Sequence, residues 1–84
     1  MKITVEFTPD AGDVRVITFD DAANTATFNG VSSPLKRDGN VATVNSPNGV
    51  FVITVDSMVP EVGHTSRYSV KDRDSGVAKV LSIE

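Results

Sequence analysis

Apolar and polar side chains alternate along much of this chain with a period of two, the pattern of a β-strand that turns one face to a core and the other to water. From Lys2 to Thr8 the alternation is strict, with Ile3, Val5 and Phe7 on one face and Lys2, Thr4 and Glu6 on the other. Turn signals stand at Pro9-Asp10-Ala11-Gly12, Asn29-Gly30, Asp38-Gly39, Pro47-Asn48-Gly49 and Asp74-Ser75-Gly76. Between them the pattern predicts seven strands: Lys2 to Thr8, Val14 to Phe19, Thr25 to Phe28, Val41 to Asn45, Val50 to Asp56, Arg67 to Lys71 and Val77 to Ile83. Turns about every ten residues are the rhythm of a sandwich or a small barrel.

Individual strands carry further expectations. Val14 and Val16 fall on the face opposite Ile17 and Phe19, which predicts a bulge or coverage on both sides. The run Val50 to Val55 has no polar face except for Thr54 and belongs between two other strands, because an exposed edge of that kind invites aggregation. Lys79 interrupts the face formed by Val77, Leu81 and Ile83, as an edge strand does when it blunts pairing with other chains, so the last strand is predicted at an edge. Residues 22–24 have room for one helical turn at most, capped by Asp20 or Asp21. Residues 58–66 form the longest stretch without alternation and hold Met58, Val59, Pro60 and Val62 together.

Composition sharpens this reading. Valine, isoleucine and threonine dominate, while leucine occurs only at Leu35 and Leu81, which disfavours helix almost everywhere. With 84 residues the chain has room for one domain, residues 1–84, and one modest core. Cysteine is absent, so neither a disulfide nor a thiolate metal site supplements packing. The longest apolar run, Val50 to Ile53, is far short of a membrane helix, and no apolar leader opens the chain, so the expectation is synthesis in the cytoplasm and no membrane partner.

The run Asn40-Val41-Ala42-Thr43-Val44-Asn45-Ser46-Pro47-Asn48-Gly49-Val50 resembles the "VATVD-x-NGVV" hairpin of bacterial immunoglobulin-like domains, the small sandwiches of bacterial surface and phage virion proteins. Gly63 to Val70 is similar to that family's "GTATITV" strand, and Asp72 to Ile83 to its final "DGKTATVTV" hairpin. The resemblance covers the C-terminal half; the family's tryptophan strand has no counterpart, since tryptophan is absent. It implies an antiparallel β-sandwich of immunoglobulin-like type, serving as an adhesin-type spacer or a virion surface domain, without catalytic residues. A Greek-key or SH3-like barrel is the alternative with the same strand count.

Candidate chemistry is sparse. His64 is the only histidine, so any triad would be built on it with Ser66 or Ser69 and Asp72 or Asp74, yet no Gly-x-Ser-x-Gly elbow occurs. Asp72-Arg73-Asp74-Ser75-Gly76 has the first carboxylates of a calcium loop, but its glycine comes one place early and Ile83 stands where the closing glutamate belongs. Tyr68 fits a corner tyrosine whose hydroxyl ties a connection. No phosphate-binding glycine loop occurs, and no cofactor or metal is expected.

The net charge is −3 and the pI about 4.9, which does not favour nucleic acid; Lys36-Arg37 alone offers too few cations. Residues 6–21 hold Glu6, Asp10, Asp13, Asp20 and Asp21 against Arg15, whereas residues 36–84 balance six acids with six bases. Two surfaces therefore stand out for contact with a protein: Met58, Val59, Pro60, Val62 and His64 in the apolar loop, and Asp20 and Asp21 at the acidic edge. The expected function is a non-enzymatic binding or structural module. A phage virion decoration protein, meeting capsid through loops and its last strand, fits first. An acidic, anti-CRISPR-like inhibitor of a host defence protein is the alternative.

Overall fold

The structure is a computed structural model and describes residues 1–57 and 59–84. Eight strands follow one another as an antiparallel meander: β1 Lys2–Pro9, β2 Arg15–Asp20, β3 Thr25–Phe28, β4 Val31–Asp38, β5 Val41–Ser46, β6 Gly49–Val55, β7 Thr65–Val70 and β8 Ser75–Ile83. Each pairs with its neighbour in sequence, and β8 pairs with β1, so the sheet closes into a barrel. The predicted two-layer sandwich is therefore incorrect. A barrel of another kind was the alternative; this one is an up-and-down meander, with no Greek-key crossing.

Two features account for the difference. A sandwich needs connections that carry the chain from one sheet to the other, and here six of the seven connections are short hairpins that keep consecutive strands adjacent. The additional strand, β4, has no strand signature in the sequence, because Ser32, Ser33, Pro34, Lys36, Arg37 and Asp38 leave only Val31 and Leu35 as apolar marks. Pro34 is tolerated because it sits at a handover: residues 31–34 pair with β3, and pairing with β5 begins at Leu35.

Closure also removes the predicted edge at the C-terminal strand. Residues 76–83 of β8 pair with residues 3–9 of β1, while residues 75–79 pair with β7. Lys79 points outward with Val77 and Leu81, and the inward positions are Gly76, Ala78 and Val80. A register shift opposite Thr4 and Val5 leaves Leu81 without a partner in β1 and brings Ile83 opposite Ile3, where it packs on the core. The bulge anticipated in β2 is absent; Val14 and Val16 are simply exposed outside, while Ile17 and Phe19 point in. β6 lies between β5 and β7, as expected, although β7 pairs only with residues 53–55.

The core is the barrel interior. Ile3, Val5, Phe7, Phe19, Leu35, Val44, Ile53, Val55, Tyr68, Val70 and Val80, with small Ala26, Ala42 and Ala78, form one buried cluster. Phe7 stands at its centre, edge-to-face with Tyr68 at 4.9 Å and with Phe19 at 6.2 Å between ring centroids, the arrangement that ring quadrupoles favour. Asp20 terminates β2 by accepting from the Ala22 and Ala23 amides at 3.0 and 3.2 Å, the capping role foreseen for it, and Asn24 ends that turn at a φ of 54°.

Candidate functional site

Phe7 and Ile53 border cavities on both sides and so divide the barrel at mid-height. Toward the end that carries the termini and the connections 21–24, 39–40 and 56–64, the interior is nearly filled. A cavity of about 50 Å³ remains there, walled by Ile3, Val5, Phe19, Ala42, Val55 and Val80 and reached by Val59 and His64 from the last connection. Toward the opposite end, which carries the hairpin turns 10–14, 29–30, 47–48 and 71–74, an open pocket of about 500 Å³ enters the barrel. Volumes of this order in the mouth of a barrel are those of ligand sites.

The asymmetry follows from side-chain size. The inward positions toward the hairpin end include Ala26, Ser33, Val44 and Val70, short side chains that leave space between the rings of Phe7, Phe28, Phe51 and Tyr68 bordering the pocket. Four strands thus contribute short side chains to this wall. Ser33 is the one buried polar side chain among the described residues, at 5% exposure, and its hydroxyl makes no side-chain hydrogen bond among them. The rim continues the apolar lining outward: Phe28 and Val31 face each other across the β3–β4 hairpin and are 40% and 51% exposed.

Among the described residues, two guanidinium groups are the only charged groups in the pocket wall. Arg15, at the start of β2, donates to the Asp74 carboxylate at 3.2 and 3.4 Å, and the Tyr68 hydroxyl donates to the same carboxylate at 3.2 Å. Arg73, in the β7–β8 turn, lies over the Phe51 ring with its guanidinium carbon 4.2 Å from the centroid, a cation–π contact. The ion pairs among the described residues engage Arg15, Arg37 and Arg67 but not Arg73. The pocket therefore offers an apolar bowl, an unengaged hydroxyl, and a cation at the mouth whose only described partner is an aromatic face.

Burial first, and then the nearby Asp74 charge, push the Tyr68 hydroxyl up to about 12 from its ordinary value near 10. Between those values the folded chain keeps a proton that the unfolded chain has lost. Stability conferred by the neutral phenol is complete below pH 10 and declines as the pH rises toward 12. Tyr68 is the only tyrosine. Its absorbance titration is thus expected to show one alkaline step displaced upward in the folded protein, and Tyr68→Phe is expected to lessen the fall in melting temperature over that range. A titration midpoint near 10 in the folded protein would contradict this. The role foreseen for Tyr68 as a tie holds in outline, although the partner is the carboxylate of Asp74 at the β7–β8 turn.

The residues singled out in the sequence are distributed otherwise. Asp20 and Asp21 lie at the termini end and Asp10 and Asp13 at the hairpin end, so the aspartates do not assemble into one acidic edge. Asp21 is held by Arg37 at 2.8 Å and Asp10 by Arg67 at 2.9 Å, and the Arg67 guanidinium holds the Asp10 carboxyl below the usual range. No three acidic or imidazole groups among the described residues stand close enough to share a metal ion. Of the apolar loop, Met58 lies outside the described residues. Val59, Pro60 and Val62 are exposed, Val62 at 60%.

His64 anchors the end of that loop: its amide donates to the Glu61 carbonyl at 3.0 Å and its carbonyl accepts from the Val80 amide at 2.9 Å. Its Nε2 is buried without a hydrogen-bond partner among the described residues. Asp74 is engaged instead by Arg15 and Tyr68 at the other end of the barrel. The lining of the large pocket was not anticipated, because Ala26 and Ser33 leave no mark in a hydrophobic pattern and Arg15 and Arg73 are far apart in sequence. No protein-family profile, curated protein or solved structure matches this chain.

Proposed function

We propose that this protein is a non-enzymatic binding module that holds a small, largely apolar ligand in the hairpin-end mouth of its barrel. The observation that carries this reading is the open pocket of about 500 Å³, walled by Phe7, Ile17, Ala26, Val44, Phe51 and Val70 in a chain that has otherwise packed its interior. Its polar groups, Ser33 in the wall, Asn29, Ser46 and Asn48 at the turns, and Arg15 and Arg73, suit recognition and orientation of a ligand. They include no nucleophile paired with a base.

The neutral fluorophore N-phenylnaphthylamine tests this directly. It is expected to brighten on binding at one site per chain, and to lose that site in Ser33→Phe, whose ring would occupy the bowl. Circular dichroism of the variant is expected to match the parent. No saturable binding, or binding indifferent to Ser33→Phe in a folded variant, would refute the reading.

A second reading is favoured by the exposure of Val59, Pro60 and Val62 beside one another at the opposite end: a virion or other assembly module that meets a protein through this loop. Closure removes the free edge expected at the last strand, so such a contact would rest on the loop. An acidic inhibitor draws less support, because Asp21 is already paired with Arg37 and Asp20 is engaged in its own turn.

A further inference from the structure

Charge is distributed unevenly between the two ends of the barrel. The hairpin end and its approaches hold Arg15, Arg67, Lys71 and Arg73 against Asp10, Asp13, Asp72 and Asp74, four of each sign. The remaining four cations and seven carboxylates carry the whole net charge of −3. Within this neutral end, the carboxylates of Asp10 and Asp74 are committed to Arg67 and Arg15, while the wall of the pocket itself presents only guanidinium. A ligand seated in the bowl thus meets positive charge at its outer end.

We infer that the pocket selects an amphipathic monoanion: an aliphatic or aromatic body in the bowl and a single carboxylate or similar oxyanion at the mouth, received by Arg73. The inference rests on the pocket being a ligand site. Its ground is that Arg73 is positioned over the mouth by Phe51, yet has no carboxylate partner among the described residues. An aromatic face steadies a cation but leaves its hydrogen-bond donors free, and a guanidinium presents these in a fork that matches a carboxylate. Arg15 differs, because Asp74 fixes it, and Asp74 is in turn held by the buried Tyr68 hydroxyl. Arg15 therefore contributes positive potential from a set position, and Arg73 supplies the free donors. The Ser33 hydroxyl, lower in the bowl, gives a polar contact that accepts or donates and so does not discriminate between charges.

The size of the bowl favours a medium-length chain over a long one, because the interior ends at Phe7 and Ile53 and does not continue to the other mouth. A lysine at position 73 would keep the charge but lose the fork and the flat stacking surface.

Displacement of bound N-phenylnaphthylamine by decanoate, decanol and decyltrimethylammonium, each below its critical micelle concentration at low salt, separates the possibilities. Decanoate is expected to displace the probe at a concentration about tenfold lower than decanol, the gain of a charge-assisted hydrogen bond at a partly exposed site. Decyltrimethylammonium is expected to be weakest. In Arg73→Gln the advantage of decanoate over decanol is expected to vanish. Arg73→Lys is expected to restore part of it, and raised salt to erode it. Equal displacement by decanoate and decanol in the parent protein would overturn the inference while leaving the pocket reading intact. Failure of the probe itself to bind would remove the pocket reading. An Arg73→Gln variant that loses both ligands equally would show Arg73 shaping the bowl and not reading charge, and would also overturn the inference.

Discussion

Ile53→Asp is expected to leave the chain without a cooperative fold at neutral pH. Ile53 is 6% exposed, pairs with Ala42 of β5 and Val70 of β7, and stands with Phe7 at the level that separates the two cavities. Replacing it removes a buried branched side chain, worth about 2 to 5 kcal/mol where a truncation leaves a cavity. It also places a carboxyl group among apolar neighbours, which costs several kcal/mol as a charge and about 1 to 3 kcal/mol as an unsatisfied neutral acid. Domains of this size have roughly 5 kcal/mol or a little more to lose. Circular dichroism and thermal melting measure the outcome. Ile53→Val, which keeps the shape and deletes one methylene, is expected to cost about 1 kcal/mol and remain folded. A soluble Ile53→Asp variant with a sharp melt would mean that the mid-barrel position is far wetter than its surroundings indicate.

Gly76→Ala is expected to cost at least about 3 kcal/mol, beyond the ordinary range for an added methyl group in a core. Gly76 faces inward on β8, directly opposite Pro9 of β1 and Tyr68 of β7. A Cβ there would fall 2.6 Å from the Pro9 Cα and 2.8 Å from the Thr8 carbonyl carbon, and would collide outright with the Thr8 carbonyl oxygen. These are backbone atoms and have no rotamer to escape into, so the strands must part. Gly39→Ala is the instructive contrast. Nothing lies within 4 Å of a Cβ at that turn, and the whole penalty comes from a φ of 58°, so about 1 kcal/mol is expected. Chemical denaturation midpoints rank the two. A Gly76→Ala protein as stable as Gly39→Ala would show that β1 and β8 separate without loss.

The difference between what the chain announces and what it becomes lies in which interactions are local. Strict alternation in β1 and the tight turns at Asn29-Gly30 and Pro47-Asn48 are local, and both appear in the structure at those places. The turn placed at Asp74-Ser75-Gly76 falls three residues earlier, on Lys71-Asp72-Arg73, where Asp72 takes the positive φ that a glycine usually supplies; Gly76 is reserved for the close approach to β1. Whether the first and last strands meet is non-local, and no period in the pattern records it. The hairpin of Asn40 to Val50, which carries the resemblance to immunoglobulin-like domains, does form as β5 and β6. A hairpin serves a barrel and a sandwich equally well, so it did not distinguish them.

The pocket leaves no mark in the sequence for a related reason. A cavity is written in residues that are too small, and an alanine or serine on a strand reads as ordinary filler. The cations adjacent in sequence are Lys36 and Arg37, of which Arg37 is occupied by Asp21. Arg15 and Arg73 reach one mouth only because β1–β2 and β7–β8 turn at the same end of the barrel.

The seam between β1 and β8 has a kinetic consequence. At its end the Lys2 amide donates to the Glu84 carbonyl at 2.9 Å and the Glu84 amide to the Lys2 carbonyl at 2.8 Å, so the bonds that finish the cylinder join residues almost as remote along the polymer as this chain allows. Six of the other ladders can zip outward from a short hairpin and the β6–β7 ladder from a nine-residue loop, whereas this one must capture two distant segments against the full entropy of ring formation. Until that capture the growing sheet carries two unsatisfied flanks, and the lifetime of that open ribbon governs how readily the molecule sticks to copies of itself before it is finished.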